Sequence, residues 1–204
     1  MCVVEVKPAR GKRFRDPGVR LWHFAKEILV RCPRCEGRAL VAVHPDHRDG
    51  HTYAVGWLTA PHRLTCPGCS YVSEWTARPW RSGAGDAYFT GRGALVVPEL
   101  AGPDDPYFGL PLWLRRACCG RVLWAYNVPH LELLEAYVAA AQRERPQPAG
   151  SQTLLERLPG WMKAAGNRAE VLAAIRALLD RGRRGHRWQG LVEALGVCNA
   201  VVGA

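Results

Sequence analysis

Two Cys-x-x-Cys pairs, Cys32-Pro33-Arg34-Cys35 and Cys66-Pro67-Gly68-Cys69, constrain this chain more than any other feature. In a turn of this length the two sulfurs converge while backbone N–H groups point at them, so each pair supplies half of a tetrahedral thiolate shell. Two such turns close a four-cysteine site around one ion, with no position left open for water. The thirty residues between Cys35 and Cys66 exceed the usual interval, but a hairpin with an extended loop accommodates them, because closure entropy grows slowly with length. Zinc in a structural role is the expected metal; iron accepts the same tetrahedral thiolate, and spacing does not separate the two. Structural disulfides call for an oxidising compartment. A redox Cys-x-x-Cys usually occurs once and opens a helix, whereas both pairs here are flanked by strand-like residues.

Those flanks are Arg38-Ala39-Leu40-Val41-Ala42-Val43 after the first pair, Arg63-Leu64-Thr65 before the second, and Tyr71-Val72-Ser73-Glu74-Trp75-Thr76 after it, with strand-like character and alternation in the last. On these residues the chain resembles the zinc-ribbon superfamily over roughly 28 to 76. More loosely it resembles small bacterial proteins described as containing a TFIIB-type zinc ribbon. The looser likeness extends to about residue 181 through Asp105-Pro106-Tyr107-Phe108-Gly109-Leu110-Pro111-Leu112-Trp113-Leu114, Cys118-Cys119-Gly120, Leu123-Trp124-Ala125-Tyr126-Asn127 and Leu158-Pro159-Gly160-Trp161-Met162. The resemblance implies a ribbon fold with zinc on Cys32, Cys35, Cys66 and Cys69, and contact with nucleic acid or protein as the usual use. It implies no reaction.

The expected architecture is α+β: an N-terminal zinc ribbon of rubredoxin-like antiparallel hairpins, then a small hairpin and C-terminal helices. Residues 1–78 hold a helix plus the ribbon. In the helix, Asp16-Pro17 reads as an N-cap with proline in the first turn, and Leu21, Phe24, Ala25 and Ile28 recur at helical spacing. Residues 79–106, rich in glycine and proline around Ala94-Leu95-Val96-Val97, read as an irregular linker with a short strand. Residues 107–146 form the second hairpin, turning at Cys118-Cys119-Gly120, and a helix opened by Asn127 and Pro129 that carries Leu131, Leu134, Val138 and Ala141 on one face. After the linker Pro146-Gln147-Pro148-Ala149-Gly150, residues 151–204 form the C-terminal helical segment. Leu154, Leu155 and Leu158 suggest a short helix, Asn167 with Glu170 an approximate capping box, and Leu172, Ile175, Leu178 and Leu179 a last helix ending at Arg181-Gly182. Two helices across Gly166 fit a packed helical hairpin more often than a helix-turn-helix.

Charge is uneven. The chain has 204 residues and a formal net charge of +10, of which residues 1–38 carry +6 and 151–204 carry +4, while the middle is balanced. Basic ends suit a polyanion, and they equally suit plain solubility. The candidate nucleic-acid contacts are Lys12, Arg13, Arg15, Arg34, Arg183, Arg184 and Arg187. No apolar run reaches the roughly 18 residues of a membrane span, and the basic first twenty residues lack a signal-peptide core, so a cytoplasmic protein is expected.

His44, His47, His51 and His62 fall between the cysteine pairs among Pro45, Asp46, Asp49 and Gly50. They read as a solvated loop, since four thiolates already fill the metal's shell. Cys118 and Cys119 read as buried thiols in a turn, because adjacent cysteines rarely close a disulfide without distorting the peptide between them; as ligands they need two more partners, with His130 the nearby candidate. Among eight tryptophans, Trp57, Trp75 and Trp80 can stack bases, though small sheets need large side chains to cover them. Nothing resembles a nucleotide-binding glycine loop, His-Glu-x-x-His or Gly-x-Ser-x-Gly, so no catalysis is expected. The alternative to nucleic-acid contact is a protein adaptor using an exposed apolar patch over residues 107–113.

Overall fold

The computed structural model describes residues 13–47, 54–81, 85–90, 93–144 and 153–184. The first strand, β1 (Arg13–Arg15), is followed by a 3-10 turn at Leu21–Phe24 and by β2 (Glu27–Arg31). The helix expected from Asp16-Pro17 does not form. Gly18 takes φ +73°, and Asp16 accepts the Gly18 N–H at 2.8 Å and the Thr153 hydroxyl at 2.6 Å, which spends its carboxylate on a turn and a distant segment. Ile28 and Val30 then bury alternately, the period of a strand.

With β3 (Arg38–Val43), β4 (His62–Thr65) and β5 (Val72–Trp75), β2 builds an antiparallel sheet in chain order. Register places Ile28 against Val41, Val41 against Leu64 and Leu64 against Ser73, so one face presents a continuous apolar row. Ala25, Leu58, Tyr107, Leu112 and Tyr126 cover it. Between β3 and β4 runs the short helix α1 (Ala54–Leu58).

The free edge of β2 is taken by later chain. Leu29 N–H donates to Tyr126 O at 2.8 Å, Arg31 N–H to Pro111 O at 2.8 Å, and Trp113 N–H returns to Leu29 O at 2.9 Å. Residues 107–113 are therefore packed rather than an open apolar patch: Tyr107 is 6% exposed and Leu112 1%. Buried Asp105 shapes this segment by accepting the N–H groups of Tyr107, Phe108 and Leu110 at 2.7–3.0 Å. Residues 79–106 hold more than one short strand, since β6 (Ala87–Thr90) and β7 (Gly93–Val96) pair as a hairpin. Trp80 N–H to Ala94 O and Val96 N–H to Arg78 O bind it to the chain beyond β5.

The second hairpin, β8 (Leu114–Cys118) and β9 (Arg121–Ala125), forms as expected. So does α2 (Val128–Ala139), whose N-cap Asn127 accepts the His130 N–H and donates from its amide to Phe24 O and Glu27 O. Behind α2, β10 (Gln142–Glu144) pairs in parallel with β1. Leu154 and Leu155 are buried, in turns rather than a helix. A helical turn, α3 (Gly160–Lys163), leads to α4 (Arg168–Arg183). The capping box is absent, because the Asn167 amide donates to Trp161 O and Glu170 accepts from Cys119. Val171, Ile175, Leu178 and Leu179 of α4 pack with Leu131, Leu134 and Val138 of α2 and with Leu114 and Leu123 of the hairpin. Among the described residues no helix is long and apolar enough to cross a membrane.

Candidate metal centre

Chain direction alone puts both cysteine turns at one end of the sheet. The first joins β2 to β3, the second joins β4 to β5, and β3 lies beside β4. In each turn the first cysteine's N–H closes a ring, Cys32 onto Gly37 O and Cys66 onto Tyr71 O, both at 2.8 Å. The residue after each second cysteine is left-handed, Glu36 at φ 59° and Ser70 at φ 57°. That conformation costs a non-glycine residue roughly 1–2 kcal/mol, so its repetition shows that the two turns are bent to the same geometry. Gly37 has little choice: a Cβ there would stand 3.3 Å from Cys35 Sγ.

The four sulfurs meet as a cluster of free thiols. Cys32 Sγ lies 3.7 Å from Cys69 Sγ and Cys35 Sγ lies 3.6 Å from Cys66 Sγ, with all four within 4.8 Å of one another. A tetrahedral ion with metal–sulfur bonds of about 2.3 Å requires sulfur–sulfur edges of about 3.8 Å, so the cluster has the size of one coordination shell. Cys32 and Cys66 are buried, Cys69 is half-buried and Cys35 exposed. Burial pushes the Cys66 thiol up to about 12 and Cys69 upward. Burial opposes ionisation at Cys32 too, but the N–H groups of Cys35 and Arg34 together with the Cys66 and Cys69 thiols outweigh it and bring that thiol down to about 7. Packing thiols this closely is costly as bare anions; a dication in their midst supplies the missing charge. The four cysteines can thus hold one metal ion.

No protein-family model, curated protein or solved structure matches the chain.

Among the described residues no histidine joins the cluster. His62 is not a loop residue: it sits in β4, fully buried, with Nδ1 2.8 Å from Ala60 O and its ring stacked on Tyr107 at 3.7 Å. His44 faces Glu74 at 3.4 Å and contacts Arg63; His51 lies outside the described residues. His130 is buried, accepts the Tyr126 N–H and stacks on Phe24, so it packs the core and is no partner for Cys118 and Cys119.

The candidate arginines separate into two groups. Arg13 pairs with Glu144 at 3.4 Å, and Arg15 lies on the same strand. Arg183 pairs with Glu132 and Arg176 with Glu135, which runs α4 antiparallel to α2 and places β1 and β10 at the far end, about 18 Å of α2 away. Arg34 and Arg184 are exposed and form no ion pair with another described residue. Lys12 and Arg187 lie outside the described residues. Three arginines gather near the first cysteine turn: Arg181, part of the basic tract that follows the last helix in sequence, and Arg31 and Arg38, which the sequence did not single out. Arg31 approaches Glu36 at 3.9 Å, Arg38 donates to Gly182 O at 3.2 Å, and Arg181 lies 3.9 Å over the Trp113 ring. The direct Arg31–Arg38 pairing across β2 and β3 was the available signal, hidden until the register was known.

Proposed function

We propose that the chain is a non-catalytic protein of the zinc-ribbon type, with one structural zinc on Cys32, Cys35, Cys66 and Cys69, that contacts nucleic acid beside its first cysteine turn. The observation that carries this reading is the closed four-sulfur shell, which leaves no position for a substrate or water, next to a face where Arg31, Arg38 and Arg181 converge at the end of α4. Arg31, Arg34 and Arg184 are exposed, Arg31 beside Glu36 at 3.9 Å. Arg13 and Arg15 stand at the other end of α2, so these two do not grip one phosphate group together with Arg184. The adaptor alternative loses its motivation with the burial of Tyr107 and Leu112.

The test is a salt titration of the zinc-loaded protein against single- and double-stranded oligonucleotides. Phosphate-led binding weakens as a power of salt concentration, and each lost phosphate contact lowers the slope by about 0.7–0.9. Arg34→Ala with Arg184→Ala should lower it by about 1.5. No binding at low salt, or a slope unchanged by both replacements, would overturn the reading.

A further inference from the structure

Away from the four-cysteine centre, the tip of the second hairpin gathers another set of donors. Cys118 ends β8, and Cys119-Gly120 make the two-residue turn into β9 at φ +51° and +67°. Such a turn requires positive φ at both positions and favours Asn-Gly; here a cysteine fills the first. Side chains of neighbouring strand residues point to opposite faces, and the left-handed turn undoes that separation, leaving Cys118 Sγ and Cys119 Sγ 3.7 Å apart. Glu170, in the first turn of α4, reaches the same point and accepts the Cys119 N–H through Oε1. One donor atom from each of the three lies within 4.8 Å of the other two.

We propose that Cys118, Cys119 and Glu170 form a second metal site, a two-sulfur, one-oxygen shell for a thiophilic divalent cation whose fourth position is open. The sulfur–sulfur edge of 3.7 Å matches the 3.6 and 3.7 Å edges of the four-cysteine cluster and the roughly 3.8 Å that a tetrahedral thiolate site requires. Cys118 is buried in the helical core and anchors the site, while Cys119 is half-buried and Glu170 exposed. Solvent therefore reaches the fourth position. Both thiols ionise as the cation binds: the two sulfur–metal bonds form as two protons pass to solvent, and the filled site carries a formal charge of −1. Protons compete with the cation for both thiolates, so occupancy rises with pH. With three ligands against four, this site fills after the four-cysteine centre and empties first.

The experiment titrates Co²⁺ into the full reduced chain under argon, following the thiolate-to-cobalt and ligand-field absorption, and repeats the loading with ¹¹³Cd²⁺ for NMR. Two equivalents are expected, the second weaker, and two cadmium resonances, one at the position of a four-sulfur site and one at that of a mixed sulfur–oxygen site. Cys119→Ser and Glu170→Gln keep the turn and its N–H acceptor; each should weaken the second equivalent at least tenfold and leave the first unchanged. A single cobalt equivalent in the wild-type chain overturns the proposal. So does a second equivalent that persists in the Cys118→Ala/Cys119→Ala chain, which would place it on the histidines or elsewhere.

Discussion

His62 makes the stability of the sheet sensitive to mild acid. Its Nδ1 donates to Ala60 O, and Nε2 is buried with no partner among the described residues. A second proton must go onto Nε2, where nothing accepts it, so burial lowers the imidazole from 6.5 to about 4. The unfolded chain binds that proton more readily than the folded one between these values. The contribution is therefore complete above pH 6.5 and is lost as pH falls toward 4. Between pH 7.5 and 4.5 it amounts to roughly 2.5 kcal/mol, a sizeable part of the roughly 5–15 kcal/mol that holds a domain together. Acid also drives metal off thiolates, so the informative quantity is a difference between two chains. His62→Phe keeps a ring against Tyr107, loses the bond to Ala60 at every pH, and has no proton to gain. Urea unfolding of both chains at the two pH values, each with excess zinc, should show the variant losing about 2.5 kcal/mol less on acidification than the wild type. Parallel losses would show that His62 is not held neutral in the fold, and the account of its burial would fail.

Two further outcomes test the packing and the metal. Gly182→Ala places a Cβ 2.8 Å from Val128 Cγ2 and 3.3 Å from Leu114 Cδ2. Because a β-branched side chain in a helix has little freedom to yield, overpacking of roughly 1–3 kcal/mol should outweigh a helix-propensity gain of up to about 1 kcal/mol, and the urea midpoint should fall with an unchanged slope; a rise would refute the close approach of α4 to α2. Removing metal with a chelator at neutral pH should lower stability by more than about 4 kcal/mol, the effect of a ligand at a thousand times its Kd, with recovery on one equivalent of zinc in the wild type and none in Cys66→Ser; calorimetry that finds chelated and loaded protein equally stable would remove the structural role.

Local pattern was enough for much of this molecule. The cysteine spacing marked the cluster, the strand-like residues of 38–43 and the alternation in 71–76 marked strands, and Asn127 with Pro129 marked the start of α2, because each of those elements is determined by its own residues. Elsewhere the deciding partner is far along the chain. Asp16 looked like a helix cap until Thr153 claimed its carboxylate. Tyr107 to Trp113 looked like an exposed patch because nothing near it in sequence announces that β2 will accept it as an added edge. His62 was misread for a different reason: its polar neighbours on the loop side suggested solvent, although its alternation with buried Leu64 already placed it on the inner face. Glu170 stood in an apparent capping box, and only the approach of the hairpin tip to α4 reveals its other partner.

The first cysteine turn and the arginine face are mechanically joined, so in the proposed function an ion in the cluster would govern binding without touching a ligand. Arg31 and Arg38 flank the first cysteine turn, one at the end of β2 and the other at the start of β3. The β2–β3 ladder pairs them directly, and the turn that closes this end of the ladder is weakened when its sulfurs are not held, because its left-handed Glu36 and the packed thiols are unfavourable on their own. Arg38 passes that position to α4 through Gly182 O, and β2 passes it to Trp113 through Leu29. Arg181 rests on Trp113. Loss of the ion would therefore free both ends of this connection at once, displacing Arg38 from the helix terminus and Trp113 from beneath Arg181. A zinc-free chain should then lose nucleic-acid binding at its first cysteine turn while keeping its full net charge, a result that mere attraction of a basic protein to phosphate would not produce.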